Sequence, residues 1–304
     1  MSFPPARRYW KADSLEQRNL LIFFIIAFGW SWICWFLFIG NVIQMPAGIG
    51  TPEVNIGQLI TVLPILILSP FGPTISAFLV TYFTGGKSGV RQIWSRFWNR
   101  DISRRWLLTL ILLQPVYYLI IRLISQYLFG VEQPRPIWLD RFWMILPGFF
   151  ASLLHGGLSE EFGWRGYALP RLQTKYTAFQ SSIILGSLEG LWHYPLILMP
   201  WDDRYGMSVV VLIVWQSIAT FYRTWVFNNT NGSVLAAVLF HAVQNNAGYM
   251  VPVNVAVVSF LPTLRYVPPL MILIGLVFVA LMVAFCGAED MMCTRHETNT
   301  PEIT

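Results

Sequence analysis

Three short runs of polar residues interrupt long apolar stretches, and their side chains are those of water activation. Ser159-Glu160-Glu161-Phe162-Gly163-Trp164-Arg165-Gly166-Tyr167 holds two adjacent carboxylates and a guanidinium. Glu189-Gly190-Leu191-Trp192-His193-Tyr194-Pro195 holds a carboxylate and an imidazole, and His241-Ala242-Val243-Gln244-Asn245-Asn246 an imidazole and amides. A carboxylate can take a proton from water, a histidine can position that water, and neutral His and Asn donors can stabilise an oxyanion. Helix spacing sorts the partners. Glu161 and Arg165 are four apart, stack on one face and can form an ion pair; Glu189 shares a face with His193, and His241 with Asn245. Glu160 points about 100° away from Glu161 and is free to face another neighbour.

Each of these residues also has a plainer reading. Glu161–Arg165 could be a snorkelling ion pair near a membrane boundary, and a lone intramembrane histidine is commonly a structural hydrogen-bonding group. Two histidines from separate spans beside a Glu pair weaken that reading. His155 shares no motif and is read as structural. Gly186 and Gly190 form a G-x-x-x-G read as a packing surface. His296-Glu297 begins an H-E-x-x-H, but Thr300 stands at the second histidine position. Arg122 is the further ionisable group inside an apolar run, and therefore a functional candidate by default.

The elements that must carry these residues are membrane helices. Of 304 residues, 55% are apolar and 12% charged, with a mean hydropathy of +0.55. Soluble domains are roughly 25% charged, so lipid is the solvent for most of this chain. This excludes a cytosolic enzyme, a secreted disulfide scaffold and a disordered chain. Eight stretches are long enough to cross: Leu20–Ile39, Leu59–Phe83, Trp106–Phe129, Phe142–Gly163, Phe179–Pro200, Met207–Phe227, Ser233–Val251 and Pro268–Gly287. Backbone groups must satisfy one another in lipid, so the fold class is all-α and polytopic, eight helices enclosing an intramembrane cavity.

Residues 1–19 are read as a cytoplasmic segment, 20–287 as the membrane domain and 288–304 as a polar, disordered cytoplasmic tail. With the N-terminus inside, fifteen Lys and Arg fall on inside segments (Arg96, Arg165, Arg171 and Arg223 among them) and four outside, which the positive-inside rule requires. The same distribution turns the net charge of +5 into a topology signal, so nucleic acid is not an expected partner. The first span is too long for a cleaved signal peptide. Cys34, Cys286 and Cys293 are odd in number and show no disulfide framework or zinc spacing. The sequons at Asn228 and Asn231 fall in an inside loop and are not expected to be glycosylated.

The three runs, in order and spread over roughly residues 142–250, resemble the motifs of the CPBP family of CAAX proteases and bacteriocin-processing proteins. Glu160-Glu161-Phe-Gly-Trp-Arg165 is similar to its E-E-x-x-x-R, Glu189-Gly-Leu-Trp-His193 to its F-x-x-x-H, and His241-Ala-Val-Gln-Asn245 to its H-x-x-x-N. The resemblance implies an intramembrane endopeptidase acting on membrane-associated or prenylated CAAX-type substrates. Its catalytic residues would be Glu160 as water-activating base, His193 as its partner, and His241 with Asn245 as oxyanion site. Glu161 and Arg165 would hold the motif in shape. The implied mechanism needs no cofactor; the alternative is zinc, held by Glu160, His193 and His241. Partners would be lipid and a peptide or lipidated-protein substrate, in a prokaryotic plasma membrane.

Two features depart from the expectation. Position 189 should be aromatic or apolar in the family, and Glu189 there could pair with Arg122 or His193 as a structural or tuning group; phenylalanine at this position should be tolerated. Counting rise along the spans also puts Glu160 nearer the cytoplasmic side and His193 nearer the outer side. This conflict is relieved if residues 166–176 fold back into the bundle or the fifth span starts later. Competing readings are a proton-relay transporter using Glu160, Glu189 and the histidines, and a non-catalytic scaffold or immunity protein of the same fold. A serine protease using Ser159 with His241 lacks the Gly-rich context, and Asp202 and Asp203 lie in an outside loop, against aspartyl chemistry.

Overall fold

The computed structural model describes residues 14–42, 64–65, 67–136, 138–199, 202, 204–254 and 269–293. Among them there is no strand, and eight long helices carry the chain: α1 Ser14–Val42, α2 Gly72–Phe97, α3 Arg104–Tyr127, α4 Leu139–Leu172, α5 Ala178–Trp192, α6 Val209–Asn229, α7 Val234–Met250 and α8 Pro269–Cys286. Five of these, α1, α3, α4, α6 and α8, are long and apolar enough to cross a membrane. The protein is an all-α, multi-pass membrane protein. Large apolar side chains such as Phe83, Leu128 and Phe285 are exposed around the bundle, as expected where lipid replaces water.

Local sequence sets the helix ends. Thr177 caps α5 in a reciprocal box with Gln180, Ser208 accepts from the Val211 amide at the start of α6, and Ser233 from the Ala236 amide at the start of α7. Such caps satisfy amides that have no partner within the helix. Pro195 follows α5 in a short 3-10 turn, Tyr194–Leu198, since proline cannot continue the ladder.

Five of the eight expected spans match helices to within about six residues. Three need correction. α5 ends at Trp192, eight residues before the expected Pro200, because Pro195 cannot continue the ladder. α2 starts at Gly72, with Pro73 in its first turn, and runs through a kink at Gly86 (φ 59°) to Phe97, where a charged loop was expected; residues 59–63 lie outside the described part. α4 runs on to Leu172 instead of stopping at Gly163. The polar residues beyond Gly163 suggested a boundary, but Arg165 and Arg171 are buried against protein partners. Arg96 and Arg223 are buried as well, so these four do not contribute to the inside charge as loop residues do.

The longer α4 removes the depth conflict. Glu160 lies twelve residues before the end of α4 and His193 fifteen after the start of α5, about 18 and 22 Å along antiparallel helices. They sit at similar depth.

α5 and α6 pack backbone against backbone. A Cβ at Gly186 would come within 2.5 Å of Ser217 Cα, and one at Gly190 within 2.7 Å of Ile213 Cα. The G-x-x-x-G is therefore a contact between backbones. α1 closes the same end of α5 through two indoles. Trp192 Nε1 donates to Ala27 O at 3.3 Å, and Trp32 Nε1 donates to Trp192 O at 2.9 Å.

After α8 the chain turns back. Cys286 and Cys293 form a disulfide, contrary to the sequence reading. Residues 288–293 are not a loose tail: the amides of Ala178 and Phe179 donate to Glu289 O and Ala288 O at 2.7 and 3.1 Å, and Met291 is fully buried. The turn at Gly287 (φ 79°) brings together two sulfurs that a straight helix would keep apart. Residues 294–304, with His296 and Glu297, lie outside the described part.

Substituting Gly186 with alanine should lower the thermal midpoint in detergent, because overpacking of this kind costs about 1–3 kcal/mol. Gly29, around which there is nothing within 4 Å, should accept alanine without loss. Equal midpoints for the two variants would contradict the close α5–α6 contact.

Candidate active site

Four charges from three helices meet in the buried centre. Glu161 and Arg165 of α4, Glu189 of α5 and Arg223 of α6 are all 0–2% exposed. Arg165 Nη1 lies 3.2 Å from Glu161 Oε1 and 2.8 Å from Glu189 Oε1. Arg223 Nη1 lies 3.3 Å from Glu161 Oε1 and 3.4 Å from Glu189 Oε2. Two guanidinium groups thus face two carboxylates, and the formal charges cancel. Leaving any of the four without a counter-charge in this environment would cost several kcal/mol.

His241 joins this network. Its Nδ1 is 2.6 Å from Glu161 Oε1 and 3.3 Å from Arg223 Nη1. The short distance to a carboxylate, which only accepts, places the proton on Nδ1. Nε2 then faces the same spot as the Asn245 amide: a Cβ on Gly156 would come within 3.0 Å of His241 Nε2 and 2.5 Å of Asn245 Nδ2. Gly156 belongs to a π-helical turn of α4, Leu153–Leu158, and the missing side chain lets α7 approach closely enough to deliver both groups. Asn245 is exposed, while His241 is buried.

Glu160 points elsewhere. It is 4% exposed and accepts from the indole Nε1 of Trp164 at 3.2 Å. It is close enough to interact electrostatically with Arg223, Glu161 and Glu189, but it makes no direct hydrogen bond to either histidine. Trp164 packs edge-on to Trp192, centroids 5.6 Å apart, and Trp192 packs edge-on to His193 at 4.6 Å. Two indoles therefore bridge from Glu160 to His193.

His193 closes α5. Its Nδ1 is 2.7 Å from Glu189 O, and the Gln216 amide nitrogen lies 2.8 Å from Nδ1 and 3.2 Å from Nε2. The expected pairing of Glu189 with His193 is thus made by the backbone carbonyl, not by the carboxylate. Nor does Glu189 meet Arg122, which donates to Pro134 O and Pro252 O at 2.9 and 2.6 Å and ties loops together away from the site. With both arginines on Glu189, phenylalanine at this position removes a counter-ion, and the expectation that it is tolerated is revised.

The structure therefore brings Glu161, Arg165, Glu189 and His241 into direct contact, sets Asn245 beside His241, and holds Glu160 and His193 in separate hydrogen bonds on the same cluster. Sequence reasoning missed Arg223, Gln216 and Trp164. Arg223 and Gln216 are ionisable and polar groups inside an apolar run, which alone marks them as candidates; Trp164 carries no such signal. Among the described residues, no three His, Cys, Asp or Glu side chains are grouped to hold a metal ion. Glu160, His193 and His241 do not converge on one point as zinc ligands would, since Glu160 bonds Trp164 and both His193 nitrogens face Glu189 O and Gln216. An apolar cavity of about 330 Å³ lies between α3, α4 and α7, lined by Leu239, Val243, Asn246 and Met250 among others. These α7 residues lie on the side opposite His241 and Asn245, so that cavity is not the site.

Comparison with known proteins places the same stretch. Residues 141–247 match the family described as type II CAAX prenyl endopeptidase Rce1-like. The chain is also 33% identical over 101 residues to CAAX prenyl protease 2 of Methanococcus maripaludis, covering 31% of this chain and 36% of that protein. The chain thus spans about a third of the length of that relative. The three motifs that resemble those of the CPBP family of CAAX proteases all fall within the matched stretch.

The two neighbouring glutamates should respond differently to neutralisation. Glu161→Gln leaves two buried arginines and a histidine around one carboxylate, and loss of a buried ion-pair partner costs about 3–5 kcal/mol. Glu160→Gln removes no ion pair and keeps an acceptor for Trp164. Size-exclusion profiles and thermal midpoints in detergent should show Glu160→Gln as wild type and Glu161→Gln as unfolded or strongly destabilised.

Proposed function

We propose that the protein is an intramembrane endopeptidase that hydrolyses a peptide bond of membrane-associated, CAAX-type prenylated substrates with Glu160 as general base. One observation carries the reading. The four charges of Glu161, Arg165, Glu189 and Arg223 cancel among themselves, which leaves Glu160 as a buried carboxylate held by an indole and by no ion pair. A carboxylate so placed is suited to taking up and releasing a proton.

In this mechanism a water bound by Glu160 gives that carboxylate a proton as its oxygen bonds to the scissile carbonyl carbon, and His193 supports the site from across the two indoles. Asn245 Nδ2, set beside the His241 ring, donates to the oxygen that becomes negative. The tetrahedral intermediate collapses, the C–N bond breaks, and the proton on Glu160 passes to the leaving amine. Glu161 keeps His241 oriented through Nδ1. No cofactor takes part.

The substrate class rests on the similarity to a CAAX prenyl endopeptidase family and to a CAAX prenyl protease. Both termini on the cytoplasmic side fits the excess of Lys and Arg on the segments read as inside, and a prokaryotic plasma membrane fits the short loops.

Purified protein should cleave a quenched fluorescent farnesylated CAAX peptide at a rate unaffected by chelator. Glu160→Gln should reduce the rate by at least a thousandfold with unchanged folding, and His193→Ala by at least a hundredfold. Cleavage that survives in Glu160→Gln, or that chelator abolishes and zinc restores, would overturn the mechanism. Absence of cleavage in wild type would overturn the substrate assignment.

A further inference from the structure

α6 carries none of the three motifs, yet it touches both histidines. Gln216 and Arg223 are seven residues apart, two turns along one face and about 10 Å in rise. Gln216 reaches the His193 ring, and Arg223 reaches Nδ1 of His241 and both carboxylates of the ion-pair network. Both side chains are buried. Ring nitrogen chemistry fixes the direction of the first contact. Nδ1 of His193 is 2.7 Å from a backbone carbonyl, which only accepts, so Nδ1 bears the proton; the Gln216 amide nitrogen lies 2.8 Å from Nδ1 and 3.2 Å from Nε2, and of the two only Nε2 can accept from it. Arg223 cannot donate to Nδ1 of His241 if that atom donates to Glu161; it acts on the carboxylate, holding Glu161 where His241 meets it.

We propose that α6 is the positioning helix of the site, with Gln216 setting the orientation of His193 and Arg223 setting that of Glu161 and, through it, His241. Rigidity comes from the backbone contact with α5. Gly186 and Gly190 admit Ser217 and Ile213 of α6 to within 2.5–2.7 Å of where a Cβ would stand, one turn or less from Gln216. The element that aims the rings is thus locked to the helix that bears one of them. The catalytic consequence rests on the hydrolytic reading above, whereas ring orientation is measurable without turnover.

The test uses full-length protein in detergent with ¹⁵N-labelled histidine. Its four histidines are assigned by single substitution. Gln216→Met keeps side-chain length and removes the amide. It should shift the His193 ring nitrogen signals, lower kcat on the farnesylated peptide at least tenfold, leave KM within twofold and leave the thermal midpoint unchanged. Unchanged His193 signals would overturn the proposal whatever the activity. Shifted signals with wild-type kcat would confine Gln216 to structure and overturn its positioning role.

For Arg223, the single Arg223→Met variant unbalances the network, so Glu189→Leu/Arg223→Met restores neutrality. The double variant should regain stability yet remain at least tenfold down in kcat, with altered His241 signals. Full recovery of kcat, or failure of the balanced variant to regain any stability, would show that Arg223 is not the positioning group described. Shifted ring signals in the variants of a protein whose wild type does not cleave the peptide would overturn the substrate assignment and leave the positioning geometry standing.

Discussion

The cost of an unbalanced charge inside a membrane protein is the constraint from which the rest of this structure follows. Glu161, Arg165, Glu189 and Arg223 come from three helices, and none of them reaches water. Each requires the other helices to be present and at the right depth, since an unpaired member would be left in a medium of low dielectric. The network therefore fixes the vertical register of α4, α5 and α6 more tightly than apolar packing can, because lipid tails compete with apolar side chains on equal terms. Glu189 fits this account: the second acid is matched by Arg223, and the pair adds no net charge.

Small residues make that register attainable. Glycines let α6 lie against α5 and α7 against α4, so side chains with short reach, such as His241 on Glu161, meet directly. Indoles complete the wall. Trp164 and Trp192 are each buried, each donates a hydrogen bond, and together they separate the Glu160 carboxylate from the His193 ring by aromatic surface. A site built this way is polar only at the few atoms that need to be.

Much of this was legible in the sequence. Apolar runs gave the helices because lipid demands both length and apolarity, and the spacing of Glu161 to Arg165 and of His241 to Asn245 gave shared faces. Hydropathy failed where polar residues are buried against protein: α4 was ended nine residues early and α2 was placed too soon. Arg223 was counted as a topology residue for the same reason, although it stands well inside an apolar run. The partner of Glu189 was out of reach because it depends on which helices are neighbours, and no spacing within one helix reports that. The return of the chain after α8 depends on a positive-φ glycine and on amides at the start of α5, both non-local.

The two π-helical turns of α4, Leu153–Leu158 and Trp164–Ala168, flank the Glu160–Glu161 pair on either side. A π turn holds one residue more than an α turn, so each acts as a phase shift in the helix. Glu160 and Glu161 lie about 100° apart as neighbours in any α-helix do, and the π turns before and after them set the phase of that pair relative to the rest of α4. A one-residue deletion in either turn would rotate everything on one side by about 100° relative to the other. Evolution can exchange side chains along this segment far more readily than it can change its length.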